Sequence, residues 1–314
     1  MGYGLLFPGQ GAQTVGMGRD LCRYSAARDV FDQADRALGF DLSATIFDGP
    51  EENLTLTAYT QPAILTVSVA VYRVLVDELG LDLRPDFVAG HSLGEYSALV
   101  VSGSLSLDDG VRLVHERGKL MQEAVPEGEG AMAAILGLSP SDVETLCSEV
   151  DGDRVCEAAN FNSPSQVVIS GHDDAVRRAM KLAKERGAKR ALPLNVSAPF
   201  HCRLMTAVAD KLAQSMELCS WSDSRWPLVA NVSGTPQTAV SAIQDGLYRQ
   251  TYSPVLWVQS MEYMASQGTT SFLELGPGAV LAGLSKKCIK GSRTLSVGTV
   301  EGLDDVAAFL EEAH

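Results

Sequence analysis

Gly90-His91-Ser92-Leu93-Gly94 sets a serine between two glycines in the pattern G-x-S-x-G. That spacing arises by chance in about one in ten chains of this length, so its context must carry the argument. A short apolar run, Phe87 to Ala89, leads straight into it, and Glu95 to Val101 behind it has helical spacing. Strand, tight turn and helix together are the frame of a nucleophile elbow: glycines leave room where Cβ atoms would clash, and the serine hydroxyl is lifted clear of the sheet. The unpaired N–H groups at the start of the helix then face a developing oxyanion. The chemistry this allows is acyl transfer through a serine ester, and the alternative is an incidental turn serine.

A serine needs a base, and there are five histidines. His314 is terminal, His172 lies in a Gly-His-Asp turn where a solvated role is expected, and His115 falls on the polar stripe Asp108, Arg112, His115, Glu116, Lys119. His91 adjoins Ser92 in the elbow, so its side chain is expected to point away. His201 remains, after Pro199-Phe200 at the end of the strand-like segment Ala191 to Val196, in the kind of loop where catalytic groups sit; its other reading is a hydrogen-bonded surface group. No Asp or Glu lies between Pro193 and Arg203. A Ser-His dyad, with a carbonyl accepting the histidine Nδ1–H, is therefore preferred to a triad.

Arg117 narrows the chemistry. It stands four residues after Leu113 and four before Met121, among apolar neighbours on the predicted helix Leu107 to Glu123. A guanidinium there needs an anion, either a core carboxylate or a substrate carboxylate gripped bidentately.

The elements that must hold these residues alternate strand and helix. Tyr3 to Phe7 reads as a buried strand stopped by Pro8-Gly9-Gln10-Gly11, Thr60-Gln61-Pro62 starts a long helix ending at Gly80, and Asp86 to Gly90 is a strand. The middle changes to the order β-α-β-β-α-β: strands at Ala131 to Leu136, Val155 to Asn160, Gln166 to Ser170 and Arg190 to Asn195, with helices at Ser139 to Val150 and Asp173 to Arg186. Val125 to Gly130 reads as the linker before it. Strand candidates at Pro227 to Val232, Thr270 to Leu275 and Thr294 to Val297 return to the first sheet, with helices near Ala239 to Gln250 and Val255 to Ser266. The expected fold class is α/β: a parallel-sheet α/β-hydrolase-like core (1–126 and 196–314) with an inserted ferredoxin-like subdomain (127–195).

Composition excludes other classes. The 314 residues hold 25 Lys plus Arg against 39 Asp plus Glu, a formal charge of −14, which argues against nucleic-acid binding. The best apolar run, from Ala63, meets Arg73 after ten residues, short of the roughly 18–20 needed to cross a bilayer. The N-terminus has no basic leader, so a cytoplasmic address is expected. Six scattered cysteines without a C-x-x-C pair are expected to be reduced structural thiols, and no metal site is expected.

Six motifs in order, Phe7-Pro8-Gly9-Gln10-Gly11-Ala12-Gln13, Thr60-Gln61-Pro62-Ala63, Gly90 to Tyr96, Ala159-Asn160-Phe161-Asn162-Ser163-Pro164, Pro199-Phe200-His201 and Glu274-Leu275-Gly276-Pro277-Gly278, resemble those of the malonyl-CoA:acyl carrier protein transacylases of bacterial type II fatty-acid synthesis. The resemblance spans essentially the whole chain. It implies Ser92 as nucleophile, His201 as base, Arg117 as clamp on the malonyl carboxylate, backbone N–H groups of Gln10 and Leu93 as the oxyanion hole, and the Gln250 carbonyl as the group orienting His201. Phe200 resembles members that take malonyl, where others carry Ser. The implied partners are malonyl-CoA and an acyl carrier protein, with no metal or redox cofactor. A thioesterase or esterase, a polyketide-pathway acyltransferase using another extender, and a non-catalytic carrier-binding module are the rival readings.

Carrier proteins of this kind are acidic too, so an acidic enzyme needs an uneven surface to meet one. Arg177, Arg178, Lys181, Lys184, Arg186, Lys189 and Arg190 stand against one Glu185 between 177 and 190, and Lys286, Lys287, Lys290 and Arg293 form a smaller group. These are candidate docking residues or a solvated helix face.

Overall fold

The computed structural model describes residues 2–126, 128–196 and 198–313. Of the residues read above, Met1, Glu127 of the expected linker and His314 lie outside them. Ten strands are present among the described residues: β1 (Tyr3–Phe7), β2 (Phe87–Gly90), β3 (Gly130–Leu136), β4 (Cys156–Ser163), β5 (Gln166–His172), β6 (Arg190–Pro193), β7 (Leu228–Val229), β8 (Pro236–Gln237), β9 (Ser271–Leu275) and β10 (Arg293–Val297). They form two sheets in a mixed α/β fold.

The larger sheet has the order β10-β9-β1-β2-β7-β8, parallel except for β8, which runs back against β7. β1 is central and fully buried on both faces, as the unbroken apolar run Tyr3 to Phe7 requires of a parallel strand. In register, Phe7 sits beside Gly90, so the turn after β1 and the elbow after β2 emerge at the same sheet end. In open parallel sheets that carboxyl end is where ligands bind.

The second sheet is antiparallel, in the order β4-β5-β3-β6, with helices Pro140–Val150 and Asp173–Glu185 packed on one face. Ser139 caps the first of these by accepting the Asp142 N–H, with Pro140 at the first helical position, as its sequence predicts. The other face, through Met132, Ala134 and Val168, packs on Met121, Phe200 and Met205 of the larger unit. Residues on both sides of that seam line the cleft described below.

Strand β8 has no counterpart among the expected strands, and β6 ends at Pro193 rather than Asn195; three further elements differ from expectation. Strand β4 continues through Ser163, three residues past its expected end at Asn160, with register irregularities at Ala158/Asn160 and Phe161/Ser163. Strand β7 covers only Leu228–Val229, because the chain turns away at Ala230.

The long helix begins at Thr57, three residues before the expected Thr-Gln-Pro start, and Pro62 lies inside it. A proline at 62 cannot donate to the carbonyl of Ala58, four residues back. His115 fills that position: its Nδ1 donates to Ala58 O at 2.7 Å, while its ring packs on Phe40 and Tyr59. His115 is therefore half-buried and structural, not part of a solvated stripe. From Thr57 to Glu78 this helix is long and apolar enough to cross a membrane by length and composition, but 83% of its most apolar window is buried against the protein itself.

Candidate active site

The elbow forms because two glycines permit it. A Cβ on Gly90 would lie 1.9 Å from the Gly94 carbonyl carbon, and one on Gly94 would lie 2.0 Å from Phe7 O. The turn between them forces Ser92 to φ 52° and ψ −104°, a left-handed conformation that costs a non-glycine residue about 1–3 kcal/mol. The surroundings hold it there: the Ser92 N–H donates to Asn231 Oδ1 at 2.7 Å, and its carbonyl accepts from Gln250 Nε2 at 2.9 Å and from the Glu95 N–H at 3.2 Å.

Ser92 Oγ lies 2.7 Å from His201 Nε2, and His201 Nδ1 lies 2.8 Å from Gln250 O. A carbonyl can only accept, so Nδ1 carries the proton and the Nε2 lone pair faces the serine. No carboxylate contacts His201 among the described residues. Burial, and secondly the nearby Arg117 charge, lower the His201 pKa to about 3, so the imidazole is neutral near pH 7. His201 is itself at φ 58°. Two residues on, Arg203 anchors the loop by pairing with Asp151 at 2.7 Å and with Glu157, whose Oε2 also accepts the Arg203 N–H at 2.9 Å.

Arg117, on the helix Leu107–Gln122, is 1% exposed. It donates to Gln61 Oε1 at 2.8 Å, Gln250 Oε1 at 3.0 Å and Ser92 Oγ at 3.2 Å, and lies 5.3 Å from the centre of the Tyr96 ring. Among the described residues it has no ion-pair partner, so of the two anions considered from the sequence the core carboxylate is not found. The nearest acid, Glu95, is buried and held one amide away: its Oε2 accepts from Gln250 Nε2 at 3.0 Å and from the Asn231 N–H at 3.1 Å. Burial raises its pKa to about 7 against those hydrogen bonds.

Ser92, His201 and Arg117 open onto a cavity of about 100 Å³, lined also by Gln10, Leu93, Met121, Met132, Phe200 and Leu194. Among the described residues, Arg117 is the only formally charged one lining it. Leu93 is the first residue of the helix after the elbow, so its N–H is one of the donors that a helix start leaves without an intrahelical acceptor. Larger open clefts lie elsewhere, among them two of about 750 and 760 Å³. The serine in the first, Ser25, bonds Glu78 rather than a base.

The geometry is a serine hydroxyl beside a neutral imidazole and a buried cation, and the chain can be compared with known proteins. The model of the acyl transferase domain matches residues 5–313. The chain belongs to the acyl transferase domain family. It is 49% identical over 310 residues to the malonyl CoA-acyl carrier protein transacylase of Escherichia coli (strain K12), covering 98% of this chain and 99% of that one. The counterpart from Bacillus subtilis (strain 168) is 45% identical, over 98% and 97%. Among solved structures, the malonyl CoA-acyl carrier protein transacylase of Coxiella burnetii superposes with a TM-score of 0.96 at 42% identity, over 99% and 98%. A malonyl-transacylase solved in complex with its type II PKS acyl-carrier protein superposes at 0.95, with 44% identity over 99% and 100%.

Several residues of this acyl transferase's site escaped the sequence reading. Asn231 gave no signal, being 139 residues from the serine it holds. Gln61 and Glu95 stood inside quoted motifs without a role, and the Gln250 side chain does as much as its carbonyl. His91 points away from Ser92 as expected, to Asn162 Oδ1 at 2.7 Å and the Trp257 ring. His172 is held rather than free: its Nδ1 accepts the Val155 N–H at 2.8 Å.

The basic segment is less basic in space than in sequence. Arg177 pairs with Asp173 at 2.6 Å, Arg178 with Asp174 at 2.8 Å, and Arg186 with Glu149. Lys181, Lys184, Lys189 and Arg190 are exposed and form no salt bridge among the described residues; Lys286 is likewise exposed, and Lys287 reaches Gln166 Oε1 at 3.4 Å. All six cysteines are free thiols.

Proposed function

We propose that this acyl transferase moves the malonyl group from malonyl-CoA to the phosphopantetheine thiol of an acyl carrier protein, through a malonyl ester on Ser92. The observation that carries the reading is Arg117: a buried cation without a counter-ion among the described residues, within 3.2 Å of Ser92 Oγ, in a cavity whose described lining holds no other formal charge. An acyl group with a free carboxylate supplies the missing anion, and Arg offers it a planar fork.

In the proposed mechanism the malonyl carboxylate docks on Arg117 and the thioester carbonyl lies over Ser92 Oγ, so orientation precedes chemistry. His201 Nε2 takes the hydroxyl proton as Oγ attacks the carbonyl carbon, and the oxyanion forms toward the Gln10 and Leu93 N–H groups. The C–S bond breaks, and the coenzyme A sulfur leaves with the proton from His201. The carrier thiol then gives its proton to His201 and attacks the ester carbonyl; the bond from that carbon to Ser92 Oγ breaks, and Oγ leaves with the proton from His201, closing a ping-pong cycle. Because the two thioesters are close in energy, the proposal needs neither metal nor redox cofactor.

The docking surface in this reading is the run Lys181, Lys184, Lys189 and Arg190 with Lys286 and Lys287; Arg177 and Arg178 contribute less because each already has a carboxylate. Strand β6 carries Arg190 toward Leu194 at the cavity, about 13 Å along an extended chain. We further read the larger unit (1–126 and 196–314) as α/β-hydrolase-like, and 127–195 as a ferredoxin-like insertion in view of its strand order. The address is proposed to be cytoplasmic.

The deciding experiment gives the purified protein labelled malonyl-CoA and carrier protein. Label passing to carrier protein faster than free malonate appears supports transfer; the reverse makes the protein a serine hydrolase. Absence of a Ser92 adduct by mass spectrometry would reduce it to a binding module.

A further inference from the structure

We propose that Glu95 is a positioning residue for Ser92 and Arg117, acting by hydrogen-bond geometry through Gln250 and Asn231. The inference rests on reading Ser92 as the nucleophile. Glu95 is 1% exposed, and one of its oxygens, Oε2, accepts two bonds: Gln250 Nε2 at 3.0 Å and the Asn231 N–H at 3.1 Å.

Each bond fixes a group that in turn fixes the nucleophile. Asn231 has its side-chain oxygen on the Ser92 N–H at 2.7 Å and its side-chain nitrogen on Gly90 O at 2.7 Å. Gln250 donates from Nε2 to the Ser92 carbonyl and to Glu95, and accepts from Arg117 at Oε1. The Gln250 amide can satisfy these partners in one orientation only. Arg117 must meet oxygen, and two acceptors must meet nitrogen. Without an acceptor at Glu95, one buried amide hydrogen loses its partner, and the preference that points Oε1 at Arg117 is weakened, because the Ser92 carbonyl is then the one acceptor still calling for nitrogen. The Glu95 carboxylate thus stands behind two of the three backbone bonds that hold Ser92 at φ 52° and behind the direction of the Arg117 fork.

Two conservative variants separate geometry from charge. Glu95→Gln removes the charge but keeps an oxygen able to accept both bonds. Glu95→Asp keeps the charge but draws the carboxylate back by about one carbon–carbon bond, 1.5 Å, beyond hydrogen-bond reach. The readouts are the rate at which a fluorophosphonate labels Ser92, kcat and KM for malonyl-CoA, and thermal unfolding to show that each variant is folded.

The expected order is Glu95→Gln within about threefold of wild type, and Glu95→Asp slower by tenfold or more in labelling and kcat, with KM for malonyl-CoA raised as the Arg117 fork loses its direction. Wild-type rates in Glu95→Asp, or a folded Glu95→Gln as slow as Glu95→Asp, would overturn the proposal. If the wild-type protein labels at Ser92 yet moves no malonyl, the transfer reading fails, while the ranking of labelling rates still decides the role of Glu95.

Discussion

Replacing Arg117 with alanine separates a substrate clamp from a structural arginine. The guanidinium is buried, donates only to neutral oxygens of Gln61, Gln250 and Ser92, and is without an ion-pair partner among the described residues. If it holds the malonyl carboxylate, its loss leaves a desolvated anion unpaired, which costs about 3–5 kcal/mol. That is a fall of roughly two to three and a half orders of magnitude in kcat/KM for malonyl-CoA, at about 1.4 kcal/mol per decade. An acetyl group has no carboxylate to lose. Its transfer forfeits only the Arg117–Ser92 hydrogen bond, worth about 0.5–1.5 kcal/mol. The nearby cation also lowers the basicity of His201, so its removal offsets part of that loss. Acetyl transfer should therefore stay within about tenfold of wild type, and the malonyl-to-acetyl ratio should fall at least a hundredfold. The assay is intact mass of the acyl-enzyme after rapid mixing with each thioester, with unfolding temperature as control. Equal losses for the two acyl groups would refute the clamp and make Arg117 a structural donor to two glutamines.

Four further outcomes follow from the same geometry. Ser92→Ala should remain folded and form no acyl adduct by mass spectrometry; an adduct at another residue would move the site. Burial depresses the His201 pKa to about 3, so the base is already neutral at pH 5 and the acylation rate should be flat from pH 8 to 5; a loss with midpoint near 6.5 would contradict the buried dyad. Glu95 is raised from 4.5 to about 7, so the native state holds its proton more tightly than the unfolded chain. Its contribution to stability is complete below pH 4.5 and is lost as pH rises through 7. Wild type should accordingly lose roughly 3 kcal/mol relative to Glu95→Gln between those limits, read by denaturant titration at each pH; a pH-independent difference would refute this. Lys184→Glu with Lys189→Glu should raise the KM for carrier protein and leave the malonyl-CoA half-reaction unchanged, and an equal effect on both halves would remove the docking surface.

Local chemistry was legible where local sterics enforce it. Two glycines around Ser92 have no room for Cβ atoms, and the elbow could be read from five residues and their flanks. The cap Ser139-Pro140 and the buried run Tyr3 to Phe7 were visible for similar reasons. What escaped depends on partners far along the chain. Asn231 reaches Ser92 across 139 residues, and nothing about Ala230-Asn231-Val232 announces it. The role of His115 was misread because its periodicity was polar, while the deciding fact was an acceptor left free by Pro62 on another helix. The basic run 177 to 190 was overread for the converse reason. Asp173 and Asp174 sit one turn before Arg177 and Arg178 and neutralise them, an i,i+4 pairing outside the counted window.

The absence of a carboxylate at His201 suits the proposed reaction. A carboxylate there would stabilise the imidazolium, which matters most when the leaving group is an amine with a conjugate acid near pKa 10. Here the leaving group in the first half-reaction is a thiolate, whose conjugate acid lies near 8.5, so a weaker general-acid step suffices. A neutral carbonyl at 2.8 Å still fixes the ring tautomer and direction. It also keeps negative charge away from a cavity whose substrate brings its own. Among the described residues Arg117 then remains the single formal charge lining that cavity, and a carboxylate-bearing acyl group meets no like charge among them. The acid that the site does contain, Glu95, is held behind the Gln250 amide, where it orders the donors without competing for Arg117.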